Sequence, residues 1–251
     1  MNELAASKSK TLASLDARLP VAGTAAERHA FCEQLRAACY EDGAFYLIHH
    51  GIPATLCEAA LAGAASFFAL SAESKARLDI KHAKHFRGYS RMSNERDWRE
   101  PMHFGWELPA SDDAPPGPPQ LQGPNLWPTE LGAAWRETML AFLHAADSIS
   151  QRLLAVLEPV LGLPTGYFAQ RARPTPYLLM KLLCYYPSAV DGVTRQGVAP
   201  HCDWSWLTLL LQQQAGLQVR TRQGEWLAVP LVKDALVVNL GELLADRKSV
   251  V

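Results

Sequence analysis

From Tyr177 onward, short apolar segments of strand character recur at close intervals: Tyr177 to Tyr186, Val198 to Asp203, Trp206 to Gln213, Gly216 to Arg220, Trp226 to Val229 and Leu236 to Asn239. Turn residues such as Gln223-Gly224 separate them. Closely spaced short strands predict a sandwich or barrel. The upstream half is patterned differently. Thr24-Ala25-Ala26-Glu27 is a capping box, and the helix it opens carries Phe31, Leu35 and Ala38 on one face before Gly43 stops it. A strand over Ala44 to His49 is predicted next, then helices from Pro53 to about Phe68 and from Ser71 to Leu78. Residues 83–128 lack periodicity and are rich in proline, which predicts a long loop forming a binding wall. Thr129 is placed to cap a helix reaching about Leu161, with Trp135, Leu143, Ile149, Leu153 and Leu157 along its apolar stripe. The fold class expected is α+β, a helical N-terminal half packed on a jelly-roll core.

Within the strand-rich half, His201-Cys202-Asp203 stands out. On an extended backbone residues i and i+2 point to the same side, so an imidazole and a carboxylate can reach one point in space. That is two-thirds of the two-histidine, one-carboxylate site that holds non-haem ferrous iron with positions left open. The competing reading is a histidine hydrogen-bonded within the sheet.

These residues sit in a wider pattern. Asp42-Gly43-Ala44-Phe45-Tyr46-Leu47-Ile48-His49-His50-Gly51-Ile52-Pro53, Phe67-Phe68-Ala69-Leu70 with Glu73 and Lys75, Arg87-Gly88-Tyr89, Arg99-Glu100 with Phe104-Gly105, and Gly123 to Pro128 follow one another in order. Tyr185-Tyr186-Pro187, His201-Cys202-Asp203, Gly216-Leu217-Gln218-Val219, Trp226 and Val238-Asn239-Leu240-Gly241-Glu242 complete it. In this order the chain resembles the iron(II)- and 2-oxoglutarate-dependent dioxygenases of the isopenicillin N synthase-like group. The resemblance implies a double-stranded β-helix and Fe(2+) held by His201 and Asp203, with 2-oxoglutarate and O2 as co-substrates. The implied reaction converts 2-oxoglutarate to succinate and carbon dioxide while a small organic substrate is hydroxylated, desaturated or ring-closed. It also implies that Tyr186 donates to a co-substrate or substrate carboxylate, and that Arg87, Tyr89 and Glu100 line the substrate opening. Cys184 stands where many relatives have asparagine, so co-substrate contacts are expected to differ in detail. Asn239 and Gly241 are expected to shape a turn, Trp204 and Trp206 to be core or pocket wall, His49 and His50 to be structural, and Asp112 and Asp113 to be solvated.

One part of the pattern is missing. The family's third ligand is a histidine several dozen residues past the aspartate, followed by Arg-x-Ser for the far carboxylate of 2-oxoglutarate. Here 48 residues follow Asp203 and none is histidine. The codons GAT CGG AAG AGC GTC GTG would encode Asp246 to Val251 and match the start of a common sequencing-library adapter. The expectation is a chain truncated near Ala245 with a non-native tail; natural truncation or frameshift is the competing account. The expected regions are an N-terminal dioxygenase-type region at 12–128, a bracing helix at 129–165, a truncated jelly roll at 174–245 and the tail at 246–251. A catalytically inactive fragment, a relative forming ethylene from 2-oxoglutarate, and an oxidase independent of 2-oxoglutarate are the alternatives.

Bulk properties exclude some classes. The 251 residues are 49% apolar and 20% charged, enough for a sizeable core. A formal net charge of −1 offers no basic excess for nucleic acid or an anionic membrane. No apolar run approaches the roughly 18 residues that span a bilayer, and Met1 to Lys10 lack a signal-peptide core. Five cysteines without Cys-x-x-Cys spacing read as reduced thiols. The expectation is a cytoplasmic monomer, when intact, acting on a small molecule.

Overall fold

The computed structural model describes residues 11–109, 121–172, 175–187, 189–190 and 193–245. Asp112, Asp113 and the tail 246–251 lie outside them. In chain order the elements are β1 (Ser14–Asp16), α1 (Leu19–Ala22), α2 (Ala25–Glu41), β2 (Ala44–Ile48), α3 (Ala54–Phe68), α4 (Ala72–Ala76), β3 (Gly88–Tyr89), β4 (Met92–Ser93) and β5 (Trp98–Phe104). Then come α5 (Gly132–Val160), α6 (Tyr167–Arg171), β6 (Met180–Tyr185), β7 (Ala189–Val190), β8 (Val193–Thr194), β9 (Leu207–Leu210), β10 (Gln218–Arg220), β11 (Trp226–Ala228), β12 (Ala235–Leu240) and α7 (Glu242–Ala245). They fall into two compact units. One holds the chain up to Gly51, Ile149–Tyr167 and the chain from Cys202; the other holds Ile52–Ser148 and Phe168–His201.

The first unit is built on a four-stranded sheet ordered β1-β2-β12-β9, with β1 parallel to β2 and the other pairs antiparallel. The predicted capping box opens α2: the Thr24 backbone N–H donates to Glu27 Oε2 at 2.7 Å and the Glu27 N–H donates back to Thr24 Oγ1 at 3.3 Å. Gly43, at φ 68°, ends it, because a left-handed residue is needed to turn from the helix into β2. β2 is a continuous apolar run, Ala44-Phe45-Tyr46-Leu47, buried throughout, as a strand paired on both sides should be. Tyr46 and Val237 pack with Leu12 and Val229, and the Tyr46 hydroxyl donates to Pro230 O at 2.6 Å.

The second unit contains a sheet in which β5 is flanked by β3 and β4 on one side and β6 on the other. Its core joins Phe67 of α3, Met102 and Phe104 of β5, and Trp135 and Met139 of α5. Gly63 lets α3 approach α5: a Cβ there would lie 2.4 Å from Met139 Cε, and the Trp135 indole N–H donates to Gly63 O at 2.9 Å.

The stretch 83–128, expected to be loop, contains β3, β4 and β5. Pro101 in mid-strand hides β5 from sequence reading, since proline cannot donate to a ladder. Its register explains the tolerance. β3 pairs with residues 102–103 and β4 with 98–99, so Pro101 faces the break between them. Its carbonyl still accepts from Ser90 N at 3.0 Å. The expected strand over Val198–Asp203 is also corrected: only Val198 forms a bridge, with Asp97, and the backbone from Ala199 to Trp206 is irregular. Thr129 belongs to a 3-10 turn, Thr129–Leu131, ahead of the 29-residue α5, and so does not cap it. No helix among the described residues is long and apolar enough to cross a membrane.

His103 of β5 is buried against the Phe86 ring, with Nδ1 3.2 Å from Gly88 O. Burial holds its pKa down to about 4, opposed by the Gly88 bond and helped by the charges of Lys181, Arg87 and Arg99. In the unfolded chain it titrates near 6.5, so below that pH the unfolded state binds the extra proton. Stability is therefore full above about pH 6.5 and is lost down to about pH 4, by about 3 kcal/mol for this group. Urea unfolding of wild type and His103→Gln at pH 7.5 and 4.5 checks this; equal pH dependence in both would refute it.

Candidate active site

The two proposed iron ligands lie on irregular backbone, each fixed by its own neighbours. His201 is solvent-exposed, and its Nδ1 is 3.0 Å from Ala199 O. A carbonyl only accepts, so Nδ1 carries a proton, and the neutral form of the ring has its lone pair on Nε2. Metal-bound histidines are commonly oriented by such a bond. Asp203 is half-buried. Its Oδ2 accepts from Asn239 Nδ2 at 2.9 Å, and its carbonyl accepts from Glu242 N at 2.8 Å. Gly241 N donates to Trp206 O at 2.9 Å, and a Cβ at Gly241 would lie 2.0 Å from Ser205 O. Asn239 and Gly241 thus do more than shape a turn: they grip the segment that carries Asp203. Trp204, expected in the core or a pocket wall, is 91% exposed. Among the described residues no three His, Cys, Asp or Glu side chains gather to hold a metal.

A second polar group lies in the unit that also holds His201. Lys75 of α4 and Glu100 of β5 form an ion pair at 2.7 Å, with side chains only 10% and 11% exposed. The Tyr89 hydroxyl donates to the same oxygen, Glu100 Oε2, at 2.7 Å, and Lys75 Nζ also donates to Phe68 O at 3.1 Å. Burial raises the Glu100 pKa, but bonds from Lys75 and Tyr89 and the nearby Tyr186 hydroxyl outweigh it, so the carboxylate stays ionised. Tyr186 packs edge-on against Trp98, with the Arg91 guanidinium over its ring. Its hydroxyl is buried, and no described residue meets it in hydrogen-bonding geometry. Burial first, and the neighbouring Glu100 carboxylate second, push its pKa up to about 12. It is a neutral phenol at physiological pH, able to donate to an incoming ligand. Cys184 pairs with Glu100 across β5 and β6, and burial raises its thiol pKa.

Tyr89 and Glu100 are therefore brought together, near Tyr186. Arg87 is not among them. It is fully buried, donates from Nη1 to His85 O at 3.0 Å, and has Gly105 packed against its guanidinium. Desolvation lowers its pKa. Lys75 is the participant that sequence reading misses. Its spacing from Leu78 places it on the inward side of α4, but Glu100 lies in a stretch whose prolines predict loop, so nothing pairs the two. His49 bonds Asp16 Oδ2 at 3.0 Å, a structural contact as expected.

Residues 14–130 match the model of the non-haem dioxygenase N-terminal region named for morphine synthesis, and residues 178–246 match that of the 2OG-Fe(II) oxygenase superfamily. A 2-oxoglutarate-dependent dioxygenase of Gibberella zeae is 33% identical over 231 residues, covering 86% of this chain and 59% of that protein. Azadirone synthase LFS of Melia azedarach is 32% identical over 238 residues, covering 86% of this chain and 69% of that protein. The chain belongs to the 2-oxoglutarate- and iron(II)-dependent oxygenase superfamily. Its fold is that of solved proteins of this kind: the crystal structure of a full-length Neurospora crassa protein in complex with alpha-KG and 5-formyluracil superposes with a TM-score of 0.77 at 22% identity, covering 98% of this chain and 76% of that one. The chain spans 59% of the Gibberella zeae oxygenase and 60% of the related dioxygenase frbJ from a Dothideomycetidae species.

In this member of the superfamily the Lys75–Glu100 pair is a buried charge pair, and removing one partner strands the other. Lys75→Met is expected to lower the unfolding free energy by about 3–5 kcal/mol at pH 7. Lys75→Met with Glu100→Gln is expected to recover at least half of it. Urea titrations of the two variants decide: equal losses would mean the charges are not coupled.

Proposed function

We propose that the parent protein is a non-haem iron(II), 2-oxoglutarate-dependent oxygenase acting on a small organic molecule. The observation that carries this is the His201-x-Asp203 pair, supported by the Nδ1 bond to Ala199 O and the Asn239 clamp on Asp203. Neutral imidazole and carboxylate suit ferrous iron, and a histidine whose Nδ1 is already committed presents Nε2 as the ligating atom. A facial site takes a third ligand, which the described residues do not bring to this pair. Bound ferrous iron supplies the activation of O2 and of the keto acid.

The chain's own residues set the surroundings. Asn239 engages Asp203 Oδ2, and the Asp203 carboxylate so held would be the anionic ligand to the metal. Tyr186, a neutral buried phenol, is the co-substrate donor in this reading. Beside an anionic co-substrate, Lys75 offsets the Glu100 charge that would otherwise repel it. The names of curated relatives, 2-oxoglutarate-dependent dioxygenases and a synthase, support a small-molecule substrate.

Manganese(II) is the test ion, because its EPR signal reports binding without oxygen chemistry. His201→Ala and Asp203→Ala are each expected to abolish saturable binding, and Asn239→Ala to weaken it about tenfold. In wild type, 2-oxoglutarate is expected to tighten Mn(II) binding, and Mn(II) to tighten 2-oxoglutarate by the same factor. Unchanged binding in His201→Ala and Asp203→Ala would sink the reading.

A further inference from the structure

Beside His201, within the same unit, lies an open cleft of about 640 Å³. That is within the usual range for small-molecule sites. Its wall is a constructed piece of backbone. Asn94 Oδ1 accepts from Arg96 N and Asp97 N, each at 2.9 Å, which folds 94–97 into an Asx turn between β4 and β5. The turn is strapped to the segment that leads to His201: Trp98 N donates to Gly197 O at 2.9 Å, Ala199 N donates to Arg96 O at 2.6 Å, and Asp97 bridges to Val198. A Cβ at Gly197 would lie 2.4 Å from the Tyr185 ring, so this strap approaches closer than any other residue would allow. Ala199, held by Arg96, is the residue whose carbonyl orients the His201 imidazole. The turn therefore fixes both the cleft wall and the proposed ligand.

Arg99 lines this cleft. Its side chain is 15% exposed, and Nη2 is paired with Asp97 Oδ1 at 2.9 Å. Its Nε–H is buried and has no acceptor among the described residues. The buried, unmatched Nε carries a desolvation cost, and what Arg99 offers the cleft is the exposed remainder of a guanidinium already engaged by Asp97 on one side. Arg96 adds a second, exposed guanidinium to the lining. The lining carboxylates are Asp97, already committed to Arg99, and Glu95, exposed at the tip of the turn.

We infer that this cleft binds the polar end of the substrate and that the group it takes is a carboxylate, received by Arg99 with Arg96 at the rim. The substrate class is a small carboxylic acid whose carbon skeleton lies beside His201. This rests on the oxygenase reading only for the word substrate; the anion site stands on the cleft itself. Arg99 is a specificity-determining residue in this account, and Asp97 sets how much of its charge reaches the cleft.

Phenylacetate and phenylacetamide are matched probes, differing in charge but hardly in shape. Saturation-transfer NMR titration of each against the 251-residue chain gives their affinities. Phenylacetate is expected to bind, and phenylacetamide about tenfold more weakly. Arg99→Gln is expected to erase that difference. Asp97→Asn, which releases Arg99, is expected to tighten phenylacetate several-fold, an opposite sign that a general loss of folding cannot produce. Equal binding of the two probes to wild type, or an unchanged preference in Arg99→Gln, overturns the proposal. The Mn(II) titration is run on the same samples. Lost metal binding with the acid preference kept would sink the iron site alone, and the converse would sink the cleft alone.

Discussion

The position of Asp203 depends on the register of β12. That strand is paired on both sides, with Val238 opposite Phe45 of β2 and Leu209 of β9. Leu236, Val237 and Val238 are consecutive and all buried, so both faces of β12 are packed, and a slip by one residue would exchange the side chains that fill the two faces. The same register sets Asn239 opposite Ala44 and Thr208, where its amide reaches the Asp203 carboxylate. An early strand, β2, thus fixes through β12 the orientation of a side chain late in the chain. The apolar burial that holds the sheet also aims the proposed ligand.

The second unit uses buried charge where the first uses register. Glu100 shares the β5 strand with Met102 and Phe104, which point to the same face and pack with Phe67 and Trp135. A carboxylate at the end of such a face is costly unless paired. Lys75 and Tyr89 both bond one of its oxygens, so the desolvation is offset by two donors from different elements. Arg99, one residue earlier, points to the opposite face by strand alternation. Alternation along one strand therefore separates a closed polar network from a guanidinium whose Nε remains unmatched.

Much of the fold is legible in the sequence because its cues are local. The Thr24–Glu27 box, Gly43, and the apolar runs Ala44–Ile48 and Ala235–Leu240 each state their structure in a few residues. β5 is not legible, because Pro101 argues against a strand unless one knows that it faces the break between β3 and β4. The His-x-Asp pair is visible, but the alternation of an extended strand is not what shapes it. The backbone from Ala199 to Trp206 is irregular, so the two-residue spacing carries no geometric guarantee there. The Lys75–Glu100 pair is invisible for a deeper reason: ion pairing between α4 and β5 is set by packing, and no spacing rule links positions so far apart.

The irregular segment that bears the two proposed ligands demands more of its supports than a strand would. In a strand, ladder bonds would fix the direction of both side chains at once. Here each residue needs its own restraint: His201 has the Ala199 carbonyl, and Asp203 has Asn239 for its side chain and Glu242 N for its backbone. The advantage is that the two can be oriented independently, to an angle that the fixed period of a strand does not offer. The consequence is that residues outside the proposed ligand pair, Arg96 through its carbonyl and Asn239 through its amide, carry the geometry. Positioning is then as sensitive to the turn at 94–97 and the register of β12 as to the ligands themselves.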